Sequence, residues 1–285
     1  MTKSKAVFED KIKMEKYDSH THSVNSLDGR QTVYDICRSA VEKGLAGVTV
    51  SDHADMWYYA SEKTLDRITS SVRDIDEAAE EYDGKLRLFR GVEMSEYLYD
   101  AENAENILKI TDFDVVLGSA HCIQFGELRD AYSRLDFAVM TDEQIYEFLK
   151  KYLQEISKLL DAPFFDVLAH LTCPLRYING KYNRGIDIMN FEKEINGILK
   201  KVISRGISLE VNTSGVGTSF DSLMPDERIL GVYRSLGGEM ITLGSDAHTS
   251  DRLGNAFDST AKLLKRIGFK GYYFYEKRIG NYISF

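Results

Sequence analysis

The stretch Tyr17-Asp18-Ser19-His20-Thr21-His22 decides the reading of the fold, because it has the form of a first β-strand opening into a metal site. Successive side chains of a strand alternate faces, so Asp18, His20 and His22 share one face, with neighbours roughly 6.7 Å apart along it. Two imidazoles at that spacing can grip one ion. Asp28 follows in Ser26-Leu27-Asp28-Gly29, near enough in the next loop to add an oxygen ligand. Taken alone, a His-x-His pair is equally the mark of a polar surface loop, and the rest of the chain separates the two readings.

From this strand onward, short apolar runs alternate with amphipathic helical patterns, the signature of parallel βα units. A helix over 32–43 closes at Gly44 and leads to a strand over 46–50 that ends at Ser51-Asp52-His53. A helix over 63–82 precedes a strand over 86–92 that delivers Glu93, and a helix over 101–109 precedes a strand over 114–120 that delivers His121. Thr141 and Gln144 form a capping box ahead of a helical stripe that includes Ile145, Phe148, Leu149, Tyr152 and Ile156. A strand over 165–169 then delivers His170. The stripe Phe191, Ile195, Ile198, Leu199, Val202 and Ile203 stops before Gly206, and a strand over 208–212 follows. A helix with Pro225 in its first turn leads to a strand over 240–245 that delivers Asp246 and His248. After a last helix over 257–267, Tyr272-Tyr273-Phe274-Tyr275 is expected to be a closing strand. Residues 1–13 carry little apolar pattern and are read as an N-terminal extension, with 14–285 as one barrel domain.

At 285 residues the chain can bury a full core, and 43% hydrophobic with 28% charged residues describes a globular protein. A net charge of -9 argues against binding long nucleic acid, whose phosphates are held by an excess of Lys and Arg. No apolar run approaches the roughly 18 residues of a membrane span, and the first turns of sequence are too polar for a secretory signal. A cytoplasmic protein without a membrane partner is expected. The 3 cysteines, Cys37, Cys122 and Cys173, lack the paired spacing of a zinc ribbon and are read as buried thiols.

All 6 histidines, His20, His22, His53, His121, His170 and His248, fall at or just past the C-terminal end of a strand candidate. In a parallel barrel those ends converge on one mouth, where such enzymes place their active sites. With Asp28, Glu93 and Asp246 added, the mouth holds more ligands than one tetrahedral zinc can use. Two or three divalent ions are therefore expected, with Zn, Mn and Fe all suited to imidazole and carboxylate donors.

These pieces together resemble the polymerase and histidinol phosphatase (PHP) family of metal-dependent phosphoesterases. The matching residues are Asp18-x-His20-x-His22 with Asp28, Ser51-Asp52-His53, Gly91-Val92-Glu93, Ser119-Ala120-His121, Ala169-His170 and Gly244-Ser245-Asp246-Ala247-His248. The resemblance implies an α/β fold, a distorted TIM-like (β/α)7 barrel with its metal site at the C-terminal strand ends. It further implies that His20, His22, Glu93 and Asp246 hold one metal, that Glu93 bridges to a second held by His121 and His170, and that Asp28, His53 and His248 hold a third. Asp28 stands where some members carry a histidine, a harder ligand for a softer one. Asp18 and Asp52 are then expected to orient imidazoles by accepting their other N–H.

Charge supports phosphoryl chemistry. Three divalent ions against three carboxylates leave about +3, matched to a phosphate monoester dianion plus hydroxide. Arg176 leaves the strand that carries His170 directly into a loop over the mouth, where a guanidinium can take phosphate bidentately, with Tyr177 beside it. The run from Ala169 to Tyr177 resembles the histidinol-phosphatase branch. Trp57 and Tyr58, just after His53, are expected to wall the substrate, with Asp55 and Glu96 facing its cationic head. The expected activity is hydrolysis of a small phosphate monoester, first of all histidinol phosphate, with Glu93, Asp246 and Arg176 carrying catalysis. Other readings of the same residues are a phosphoesterase acting on nucleotides, an amidohydrolase-type barrel and a metal-binding module without activity.

Overall fold

Strands and helices alternate as the chain's rhythm predicts in the computed structural model, which describes residues 15–285. The expected extension over 1–13 lies outside the described residues. In chain order the elements are β1 (Tyr17–Thr21), α1 (Val33–Glu42), β2 (Gly47–Val50), β3 (His53–Asp55), α2 (Thr64–Glu81), β4 (Arg87–Ser95), α3 (Ala101–Leu108) and β5 (Val115–Ser119). There follow β6 (Cys122–Phe125), β7 (Leu128–Ala131), α4 (Asp142–Leu159), β8 (Val167–Leu168), α5 (Glu192–Arg205), β9 (Ser208–Asn212), α6 (Glu227–Ser235), β10 (Ile241–Gly244), α7 (Phe257–Ile267), β11 (Gly271–Glu276) and β12 (Ile279–Ser284).

Seven parallel strands are hydrogen-bonded in the order β1-β2-β4-β5-β8-β9-β10, and β3 adds to the far end of β4. The first and last strands meet at the C-terminal mouth, where Asp246 N–H donates to the His20 carbonyl at 2.8 Å and His22 N–H to the Ala247 carbonyl at 3.0 Å. The result is a distorted seven-stranded α/β barrel, nearly closed, as expected. No helix of the described residues is long and apolar enough to cross a membrane.

Local chemistry explains where the helices begin. Thr32 caps α1 and Thr141 caps α4, each in a reciprocal capping box with Asp35 and Gln144 respectively. Behind the second box, Ile145, Phe148, Leu149, Tyr152, Leu153 and Ile156 are buried on the barrel, giving α4 its stripe. Asp226 caps α6 by accepting from Ile229 N–H, so Pro225 stands ahead of the cap rather than in the first turn. Gly206 ends α5 at φ 65°, a left-handed position that glycine takes without steric cost.

Two segments depart from the sequence reading. The run over 272–275 belongs to an antiparallel hairpin, β11–β12, separate from the barrel sheet. Its aromatic side chains cover the N-terminal end of the barrel: Tyr272 Oη accepts from Tyr17 N–H at 2.9 Å, Phe274 stacks on Tyr17 at 3.9 Å, and Tyr275 Oη bonds Ser208 Oγ at 3.0 Å. A β pattern alone does not say which sheet a strand joins. The second departure is the hairpin β6–β7, which follows His121 and leads into the wall of the mouth at Tyr132.

Candidate metal centre

Strand alternation and strand ends put the predicted ligands where the barrel opens. Glu93 lies within β4, not just beyond it, since the strand runs on to Ser95 and pairs there with β3 at His53. Asp18, His20, His22, Glu93, His170 and Asp246 are buried, while His53, His121 and His248 are half-buried at the opening. Glu93 is the centre of the cluster. One of its oxygens, Oε1, is 2.7 Å from His170 Nε2 and 3.1 Å from His121 Nε2. The other, Oε2, is 2.9 Å from His53 Nδ1, 3.3 Å from His20 Nε2 and 3.6 Å from His22 Nε2. Asp246 Oδ1 approaches His22 Nε2 at 3.2 Å. Asp28 lies at the rim, 3.6 Å from His53 Nε2 and 3.3 Å from His248 Nε2.

The geometry fits bound cations. His20 Nε2 and His22 Nε2 face each other at 2.9 Å with carboxylate oxygens of Glu93 and Asp246 beside them, so their lone pairs and negative charge converge on one volume. Four groups of three ligands have donor atoms within 4.8 Å of one another, and together they take in all six histidines, Glu93, Asp246 and Asp55. Burial opposes the Glu93 charge, yet His121, His20, His53 and His170 outweigh it and hold the carboxyl well below its usual range. His22 is lowered too, to about 3, by burial and then by His53 and His248, and so stands neutral. A buried set of carboxylates that, against the effect of burial, draws positive charge onto the facing imidazoles, raising His20, His53 and His121, is a cation site in charge and in donor type.

The groups that orient these ligands differ from expectation. Asp18 touches no imidazole nitrogen. Its carboxylate accepts from Ser245 N–H at 2.9 Å, Ser245 Oγ at 2.5 Å and Gly254 N–H at 2.8 Å, tying β1 to the end of β10, and burial lifts its pKa to about 6. Asp52 likewise acts at one remove: it accepts from Ser23 and Ser71 and from Ser26 Oγ at 2.7 Å, and Ser26 Oγ is 3.2 Å from His22 Nδ1. Local alternation put Asp18 on the ligand face and the resemblance pointed to Asp52, but the partners of both are set by neighbouring segments.

The carboxylate that holds an imidazole is Glu210, which the sequence reading left in an apolar strand. Its Oε1 is 2.7 Å from His20 Nδ1, and its Oε2 accepts from His170 N–H at 2.7 Å. A glutamate alternating between Leu209 and Val211 on an inward face was the available signal. Gly244 makes room for it, since a Cβ there would collide with Glu210 Oε1 and His20 Cβ. His170 and Asp246 have φ of 25° and 51°, strained left-handed positions at which the backbone turns both ligands inward. Glu210→Gln is expected to weaken divalent-metal binding about 10- to 100-fold, because an amide at Oε1 would fix the imidazole less firmly. Chelator competition measures it, and unchanged affinity would remove Glu210 from this role.

Asp55 also orients a ligand, at 3.0 Å from His121 Nδ1, while Glu96 accepts from His121 N–H at 2.5 Å and Cys122 N–H at 2.9 Å. Asp55 still lines the mouth cavity, whereas Glu96 is engaged with the protein instead of facing a substrate head. Glu96 does not line the mouth cavity at all, and neither does Trp57, which stacks on Tyr99 at 4.3 Å behind it. The turn after β3 points Trp57 away from the mouth and Tyr58 towards it. The mouth cavity, about 460 Å³, is lined by Asp28, His53, Asp55, His121, His170, Asp246 and His248 together with Tyr58, Glu62, Arg134, Arg176, Tyr177 and Arg252, while His20, His22 and Glu93 lie beneath it. Arg176 opens a π-helical turn and donates to Ser214 Oγ at 3.2 Å, with Nη1 3.9 Å from Asp246 Oδ2. Glu62 and Arg134 were not found from sequence, because a helix-flanking pair carries no local mark of a shared cavity.

Comparison with known proteins agrees with this geometry. A Clostridium acetobutylicum protein named "Probable histidinol-phosphatase" is 27% identical over 93% of this chain and 99% of its own length. The histidinol-phosphatase of Lactococcus lactis subsp. lactis is 24% identical over 90% of this chain and 93% of its own. The fold matches the solved structure of histidinol phosphate phosphatase from Lactococcus lactis subsp. lactis, which holds zinc, L-histidinol and phosphate. That match has a TM-score of 0.77 and 21% identity, over 94% of this chain and 99% of that one. The model of the PHP domain matches from Asp18 to Ser214, which takes in β1 through β9 and the ligands on them. This protein therefore belongs to the PHP-domain family.

Proposed function

We propose that this chain is a metal-dependent phosphomonoesterase that converts L-histidinol phosphate and water to L-histidinol and phosphate, in histidine biosynthesis. The observation that carries the reading is that Arg176 opens onto the same cavity as the clustered ligands. A planar guanidinium beside a cation site is matched to a phosphate dianion, which neither group alone would select. Relatives named histidinol-phosphatase over nearly their whole length support the substrate.

His20, His22, Glu93 and Asp246, then Glu93, His121 and His170, then Asp28, His53 and His248 would hold two or three ions of zinc, manganese or iron. Such ions supply a water of lowered pKa and neutralise charge on phosphoryl oxygens. The chain's own residues do the rest. Arg176 binds and orients the phosphate, with Tyr177 against it, the guanidinium 5.9 Å from the ring. In the same cavity, Glu62, Tyr58 and Asp55 are the groups for the ammonium and imidazole of histidinol, and Glu62 takes the place expected for Glu96 and Trp57. The half-buried Glu62 has an arginine neighbour, Arg67, at 3.7 Å and therefore keeps acceptor capacity for a cation.

The test compares kcat/KM for histidinol phosphate, phosphoserine and several nucleotides at one metal concentration. Histidinol phosphate is expected to lead. A nucleotide ahead by more than about tenfold would defeat the substrate assignment while leaving phosphomonoester hydrolysis in place, and no phosphate release from any of them would defeat both. Acid should also strip the site, because imidazole binds metal only when neutral and protons compete as pH falls. Bound metal is expected to decline as pH drops through about 6.5, the ordinary histidine range. Full metal content at about pH 4 would contradict a histidine-rich site.

A further inference from the structure

A second cavity, of about 500 Å³, shares no lining residue with the mouth. It lies between the turns that follow β3 and β4, the end of β5, the start of β6 and the outer face of α4. One wall is apolar and aromatic: Trp57 stacked on Tyr99, with Leu98 and Ile123. Leu98 and Tyr99 are 51% and 57% exposed, an unusual state for two large side chains beside an indole. The opposite wall is the polar face of α4, where Lys158 is neutralised by Glu155 at 2.8 Å. Lys151 has no carboxylate within ion-pair distance among the described residues, and its ammonium lies 5.4 Å from the Phe125 ring. Ser119, at the floor of the cavity, is fully buried, and its Oγ has no hydrogen-bond partner.

We propose that this cavity binds a small aromatic carboxylate, its ring against Trp57 and Tyr99 and its anion on Lys151. Each part of that ligand answers a feature of the wall. A ring extends the stack that Trp57 and Tyr99 begin, covering apolar surface now in water. A carboxylate provides the counter-charge that Lys151 lacks. The cavity volume is that of an ordinary small-ligand site. Glu96 does not compete for a cation here, because its oxygens accept from His121 N–H, Cys122 N–H and Ser95 Oγ.

Trp57 is the single tryptophan of the chain, so its emission reports on this cavity directly. The metal-loaded protein is titrated with 3-phenylpropionate and with the uncharged 3-phenylpropionamide, by emission and by calorimetry, with and without inorganic phosphate. The acid is expected to bind saturably and to perturb Trp57, with the amide about tenfold weaker and phosphate without effect on either. Lys151→Met, on an exposed helix face, is expected to keep the fold and the phosphatase turnover while losing the preference for the acid. Absence of saturable heat and emission change at millimolar probe overturns the proposal. So does equal binding of acid and amide, or displacement by phosphate, which would place the probe in the mouth.

Discussion

Glu93→Gln is expected to lower kcat/KM by about 1000-fold or more, equivalent to about 4 kcal/mol of lost transition-state stabilisation. The side chain is buried at the junction of β3, β4 and β5, and its two oxygens face different imidazoles, His170 and His121 on one side, His53 and His20 on the other. A carboxylate can accept on both sides and share its charge between two cations. An amide must present an NH₂ to one of them and brings no charge, so an ion held on that side would lose a ligand and the site would become over-positive. Shape is nearly conserved, and circular dichroism should show the fold retained. Elemental analysis should show metal lost. Wild-type turnover with full metal content would refute the bridging role.

Arg176→Ala is expected to lower kcat/KM by roughly 10- to 1000-fold, about 1.4 to 4 kcal/mol, and to weaken inhibition by inorganic phosphate in parallel. Its side chain is 35% exposed towards the cavity, and the hydrogen bond to Ser214 fixes only one of its nitrogens, leaving the others to a ligand. Arg176→Lys should recover only part of the loss, since an ammonium replaces charge but not the planar fork. Metal content should be unchanged in both variants. Unaltered phosphate inhibition in Arg176→Ala would take the residue out of phosphate binding, leaving Arg134 or Arg252 of the same cavity in its place.

These two variants probe residues found by different kinds of signal. Glu93 was legible because a carboxylate at the end of an apolar run is locally conspicuous, and the six histidines were legible for the same reason. Strand periodicity and strand ends are properties of a few consecutive residues, and a parallel barrel gathers strand ends by its topology. Hence the α/β barrel, its seven strands and the residues brought together at the mouth could be read before any coordinate. The capping box at Thr141 belongs to the same class, since it is completed within one turn, while the box at Thr32 with Asp35 emerged only with the structure. The helix expected over 101–109 is another such case, found at Ala101–Leu108.

What only the tertiary structure decided is which partner each buried group takes. Asp18 shares a face with His20 yet serves Ser245, 227 positions away, because β1 meets β10 where the barrel closes. Glu210 serves His20 from 190 positions away, through the space that Gly244 leaves open. Trp57 and Tyr58 are adjacent in sequence, yet a single turn sends one to each of two cavities. The aromatic run at 272–275 had the pattern of a strand but pairs with β12 and caps the barrel's other end. Hydrogen-bond partners of this kind are chosen by strand neighbours and by left-handed turns at His170 and Asp246, which bring together residues far apart in the chain. Periodicity sets the face on which a side chain stands; the closure of the barrel sets what it meets there.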